Sequence, residues 1–170
     1  FDIEKLTTHG GSNRIFIKKI RSNKKVTDNV SKIINEELSF GMDKFETYQK
    51  FAQNVINSKN ETKKIFIELK KNNAKIIGYG ATYKSSTILN YCGLDTKFID
   101  YFTDTTETKQ GKFTPGTHIP ILKPTDGINS EVNYAFLGAW NFKKEIFNKE
   151  KKFIERGGKF ITHVPFPKII

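Results

Sequence analysis

At 170 residues, 36% hydrophobic and with 15 Phe, the chain is long enough to bury a core, and its length suits one domain with part of a second. It has no apolar run long enough to cross a membrane and no charged-then-apolar leader; its lone cysteine, Cys92, excludes an internal disulfide or a multi-cysteine metal cluster, and a cytoplasmic setting fits best. The net charge of +11 does not argue for a nucleic-acid partner: all but Arg14, Arg21 and Arg156 of the 29 basic residues are Lys, strewn along polar faces, whereas base and phosphate readers lean on the Arg fork.

The chain opens at Phe1 in mid-pattern, as a cut-down or processed piece would. "FDIEKL" and "RIFIKKI" (Arg14 to Ile20) read as two short strands around the turn "THGGSNR". Residues 21 to 42 are polar and Lys/Asn-rich, a connector with a short helix near Val30 to Leu38. From Asp43, an N-cap with Glu46 three residues on, Phe45, Tyr48, Phe51, Ala52, Val55 and Ile56 fall at helical spacing. Ile65, Phe66 and Leu69 extend that helix or begin another. Beyond Lys75, strand and helix alternate: "KIIGYG" is a strand, Ser85 to Tyr91 a helix stopped near Gly93, "TKFIDYF" a strand, and "HIPIL" a short one. "NYAFLGAW" reads as a doubly buried strand, "NFKKEIFNKEKKFIERGG" as one helix, and "KFITHV" as the fifth strand. This alternation predicts an α/β fold: a Rossmann-like parallel sheet over residues 74 to 170 with helices on both faces, preceded by a short β segment and a long helix.

Four stretches carry polar groups suited to chemistry. "IIGYGATYKSST" has Gly78 and Gly80 of a G-x-G-x-x-G fingerprint, but Tyr83 stands at the third glycine, and the Gly before Lys84-Ser85 that a Walker loop needs is missing. Two readings stay open: a cradle in which Thr82, Lys84, Ser85, Ser86 and a helix N-terminus hold a phosphate, or a tight turn capped by Ser85. In "HGGSNR", His9 precedes paired glycines that let a ligand come close, which suits proton transfer; an exposed turn His is the plainer reading. The long loop "TDTTETKQGKFTPGTHIP" leaves the ligand-binding edge of the second strand, bearing Asp104, Lys112 and His118 among its polar groups. "GAWNF" sets Trp140 and Asn141 at the end of the fourth strand, to stack on and hydrogen-bond a ring, or else to serve as a buried Trp and a helix-capping Asn.

Taken in order, "HGGSNR", "GYGATYKSSTILNYCG", "DTTETKQGKFTPGTHIPI", "AWNF" and "GGKFI" resemble the C-terminal region of S-adenosylmethionine-dependent C-methyltransferases acting on deoxysugar nucleotides, over essentially the whole chain. Asn13 replaces the family's usual Leu, and Tyr83-Lys84-Ser85 replaces its usual Ala-Lys-Gly. The resemblance implies residues 1–22 as the end of a methyltransferase domain, 23–73 as connector and helices, and 74–170 as the Rossmann-like C-terminal domain. It implies His9 as the catalytic base that removes a proton next to the sugar ketone. Gly78, Gly80, Thr82, Lys84, Ser85, Ser86, Asp104, Lys112, His118, Trp140 and Asn141 become the expected contacts to a nucleotide-diphosphate sugar. S-adenosylmethionine is then bound mainly by an upstream domain, and zinc belongs to the full-length protein alone, so this chain is expected to be catalytically incomplete. The alternative, a nicotinamide- or flavin-binding oxidoreductase domain, would use Asp100, some twenty residues past Gly80, on a ribose.

Overall fold

A computed structural model of the chain describes residues 1–170, the side chain of Asp126 excepted. It divides into two compact units, Phe1–Asn54 and Val55–Ile170.

In the first unit, β1 (Asp2–Leu6) pairs antiparallel with β2 (Ser12–Phe16), with Ile3 opposite Ile15. Residues 21–42 hold more structure than their polarity suggests: α1 (Asp28–Phe40) is a full 13-residue helix that buries Ile33 and ends on left-handed Gly41. The N–H of Gly41 caps the last carbonyls of α1, the usual reason for glycine at a helix end. The next helix, α2 (Phe45–Lys71), is one unbroken element that starts two residues after Asp43.

The second unit carries a six-stranded sheet in the order β5-β4-β3-β6-β7-β8. Its strands are β3 (Ile76–Tyr79), β4 (Phe102–Thr103), β5 (Ile121–Leu122), β6 (Tyr134–Leu137), β7 (Lys159–Thr162) and β8 (Lys168–Ile169). Every pairing is parallel except that of β8 with β7. Alternate residues of the strands face two cores. One gathers Ile76, Phe102, Phe136 and Ile161 with Phe66 of α2 and Leu89 of α3 (Tyr83–Cys92). The other gathers Ile77, Leu137 and Phe160 with Ile146 of α4 (Lys143–Lys149) and Phe153 of α5 (Lys151–Glu155). Phe66 sits edge-on to Phe98 and Phe136, at 6.4 and 5.7 Å between ring centroids. This is a Rossmann-like α/β fold with helices on both faces of the sheet.

Three sequence expectations need correction in detail. The strand expected over "TKFIDYF" shrinks to Phe102–Thr103, because Asp95 folds what precedes it into a turn: its carboxylate accepts from Lys97 N–H (2.9 Å), and its carbonyl from Phe98 and Ile99. The C-terminal helix is two helices, broken at Glu150 (φ −99°, ψ 31°). The antiparallel β8 was not expected, its two residues being masked by Pro165 and Pro167 just before them.

Among the described residues no helix is long and apolar enough to cross a membrane. At the end of β7, His163 is only 7% exposed and lies against Phe136, 5.4 Å between ring centroids. Burial pulls its pKa down to about 4 from an ordinary 6.5. Between those values the unfolded chain binds a proton that the folded chain refuses, so stability is complete above about pH 6.5 and falls as pH drops toward 4. The loss is on the order of 3 kcal/mol. Thermal melts across this window should show Tm falling with pH, and the slope should flatten in His163→Phe.

Candidate functional site

The order of strands turns around at β3: the chain runs from β3 outward to β4 and β5, then returns to lay β6 on the other side. In an open parallel sheet, that point leaves a crevice at the carboxyl ends of the strands. Here the crevice is formed by Tyr79-Gly80 at the end of β3 and Gly138-Ala139 after β6. Gly80 has a φ of +83°, and a Cβ there would stand 2.6 Å from the Ala139 Cβ, so the turn requires glycine twice over. Gly78 lies deeper, within the strand, its open side filled by the Phe102 ring.

Thr82 is the N-cap of α3. Its hydroxyl accepts from Ser85 N–H (3.0 Å) and donates to the Gly138 carbonyl (3.1 Å). The Ser85 hydroxyl in turn accepts from Thr82 N–H (2.8 Å), closing a capping box. Ser85 is fully buried, and Ser86 Oγ donates to the Thr82 carbonyl (3.3 Å). Both serines expected to meet a ligand thus have backbone partners, whereas helix geometry leaves the N–H groups of Tyr83 and Lys84 with no intrahelical acceptor. Tyr83, in the place of the third fingerprint glycine, is 93% exposed, so its ring is kept out of the helix–strand contact.

Lys84 provides the site's main electrostatic feature. Its ammonium lies 4.9 Å from the centroid of the Trp140 ring, is buried, and has no hydrogen-bond partner. The indole face offsets part of the cost of burying that charge, but an ammonium carries three donors, which only an acceptor can satisfy. Asn141 sits half-buried on the same 3-10 turn (Trp140–Phe142) and does not cap α4, whose N-cap is Phe142.

Beside this pair, between the end of β4 and α4, lies a cavity of about 480 Å³, within the usual size of a small-molecule site. Tyr79, Pro124, Phe142 and Ile146 give it apolar walls, and Thr103 to Thr106, Lys109, Glu145 and Lys149 give it polar ones. Gly80 and Thr82 reach it, but Lys84 and Trp140 do not line it. Tyr79 was passed over in the sequence because it stands between two glycines. Strand alternation turns it to the opposite face from Gly78, where its hydroxyl donates to Glu150 (2.6 Å); burial and that carboxylate push its pKa up.

Asp104 ends β4 and clips the long loop to the glycine turn. Its Oδ2 accepts from Ala81 N–H (2.7 Å) and pairs with Lys109 (3.3 Å), while its Oδ1 accepts from Thr106 N–H (2.8 Å). Lys109 also donates to the Ala81 carbonyl (2.9 Å). Farther along, Asn90 at the end of α3 donates to the Pro115 carbonyl (2.9 Å). Lys112 and His118 are exposed on this outer part of the loop, away from the cavity walls, with His118 at a φ of +54°. Asp100, the expected ribose partner of a dinucleotide domain, precedes β4 and pairs with Lys70 (3.3 Å), so the acidic group at the carboxyl end of that strand is Asp104.

In the other unit, His9 is exposed on a 3-10 turn (Thr8–Gly10) with a φ of +56°, followed by Gly10 and Gly11 at +90° and +127°. Three successive residues with positive φ are costly for the one that is not glycine. The turn is held by Gly11 N–H (2.9 Å) and Ser12 Oγ (3.0 Å), both donating to the Thr8 carbonyl. Among the described residues, no group of three or more His, Cys, Asp or Glu is placed to hold a metal ion.

Burial alone would raise the Asp104 pKa, but the Thr106 hydrogen bonds and Lys109 outweigh it and hold the carboxyl below its ordinary 3.8. Its contribution to stability is therefore present above about pH 4 and lost as pH falls below that. Asp104→Asn should cost about 1–3 kcal/mol in urea melts at neutral pH, and the gap from the parent chain should narrow near pH 3.

A model of the C-methyltransferase C-terminal domain matches residues 7–165. The C-methyltransferase NovU of Streptomyces niveus is 34% identical over 169 residues, which are 99% of this chain and 40% of NovU. The chain thus spans about two fifths of the length of that curated relative. With the match running from the His9 turn past the end of β7, through the glycine turn and the clipped loop, the chain belongs to the C-methyltransferase C-terminal domain family.

Proposed function

We infer that this chain is the substrate-holding part of a C-methyltransferase, and that its substrate is a keto-deoxysugar carried on a nucleoside diphosphate. The observation that carries this reading is the buried Lys84 ammonium, stacked on Trp140 without an acceptor, beside a helix N-terminus at the switch point of the sheet. A diphosphate supplies the oxygens that the ammonium and the free N–H groups of Tyr83 and Lys84 need. The neighbouring cavity, with apolar walls and threonine hydroxyls, suits the nucleoside. Ser85 and Ser86 act from behind, shaping the turn.

In this reading residues 1–22 are the end of a methyltransferase domain, and S-adenosylmethionine supplies the methyl group from a site that the 170 residues do not themselves form. His9 is the base. Its imidazole takes the proton from the ring carbon next to the ketone, and that carbon, as the enolate, is then the nucleophile for the methyl group. Gly10 and Gly11 carry no side chains to obstruct the sugar.

Calorimetry with deoxythymidine diphosphate tests the anion site. Binding should weaken roughly 10- to 100-fold in Lys84→Met, which keeps the stem on Trp140 and removes the charge. Unchanged binding would remove Lys84 from the site. For the base, His9→Gln in the protein that performs methyl transfer should lower turnover on the order of 10²- to 10⁴-fold, with binding of deoxythymidine diphosphate left intact.

A further inference from the structure

Among the described residues, two buried side-chain polar atoms have no hydrogen-bond partner: Lys84 Nζ and His163 Nδ1. The first is absorbed by the proposed anion site. The second is not, and nothing in the core explains it. His163 follows β7, and its ring lies against Phe136, tilted by 30°, on the face of the sheet that α3 covers. A phenylalanine in that place would pack against Phe136 equally well without burying a polar nitrogen. At 7% exposure, water offers little compensation, and an unmet buried acceptor or donor costs about 1–3 kcal/mol. Burial also keeps the imidazole neutral at physiological pH, with one nitrogen to donate and one to accept.

The position of His163 in the sheet indicates what it would meet. β3, β6 and β7 are successive parallel neighbours, so the carboxyl end of β7 stands about 10 Å from that of β3 along one edge. The cavity suited to a nucleoside is lined from the ends of β3 and β4 and by Ala139 and α4, so it lies on the α4 face of the sheet, whereas His163 lies on the α3 face. With the diphosphate at the glycine turn between the two faces, on Lys84 at the start of α3, the group attached beyond it runs to the α3 face, where His163 follows β7.

We propose that His163 Nδ1 hydrogen-bonds a hydroxyl or carbonyl of the sugar in a nucleoside diphosphate sugar, as a specificity-determining contact. This rests on the nucleotide-sugar reading above and adds the location of the sugar. Its test is calorimetry of the 170-residue chain with deoxythymidine diphosphate and with deoxythymidine diphosphate glucose, on the parent and on His163→Phe. The variant should bind the bare diphosphate within twofold of the parent and the sugar-bearing ligand roughly 10-fold more weakly. The imidazole ¹⁵N resonances of His163 should shift with the sugar-bearing ligand and stay in place with the bare one.

If the parent binds neither ligand, the nucleotide reading falls and the His163 contact with it. If the parent binds both and His163→Phe binds the sugar-bearing ligand unchanged, or loses both ligands equally, the His163 contact alone is overturned.

Discussion

The Thr82 hydroxyl makes two bonds on which the carboxyl edge of the sheet depends. It accepts the Ser85 N–H that begins α3, and it donates to the Gly138 carbonyl that ends β6. One oxygen therefore fixes where the helix starts and how near the two central strands lie to it. The Ser85 hydroxyl returns the favour to the Thr82 N–H, and the box is buried beneath the turn. Only because these near groups are satisfied within the turn are the Lys84 ammonium and the N–H groups of Tyr83 and Lys84 left over for something else.

That division of labour also explains which parts of the site could be read from the chain. The strand-turn-helix unit was legible because Gly78, Gly80 and the following hydroxyls punctuate two β-branched residues, and the sheet because strand and helix alternate beyond Lys75. Lys84 and Trp140 were legible as polar and aromatic groups at the ends of elements, and the structure stacks them. Ser85 and Ser86 looked like ligand groups for the same reason, yet a hydroxyl at a helix start satisfies backbone and phosphate with equal chemistry, so residue type alone does not choose between them. Tyr79 and Ile146 needed the fold: a tyrosine between glycines and an isoleucine in a Lys-rich helix meet in one cavity only once β3 and α4 are side by side. His163 was hidden for the opposite reason, because a histidine at a strand end gives no sign of its burial until Phe136 is known to lie against it.

The polar ends of the sheet strands do not all behave alike. On the β4 side, Asp104 and Lys109 neutralise one another and spend their bonds on the Ala81 backbone. At the start of α3 and at the end of β7, by contrast, Lys84 Nζ and His163 Nδ1 are left unmatched. The long loop of residues 104–118 braces the glycine turn and, through Asp104 to Thr106 and Lys109, also lines the cavity.

That brace grips α3 at both ends. The Asp104–Lys109 clip holds the turn before the helix, and Asn90 holds Pro115 just before it stops at Gly93. A helix tied at start and finish to the same loop can neither slide nor swivel without breaking bonds at two places. The conformational entropy of the turn has accordingly been surrendered during folding, and a ligand arriving there has little left to immobilise.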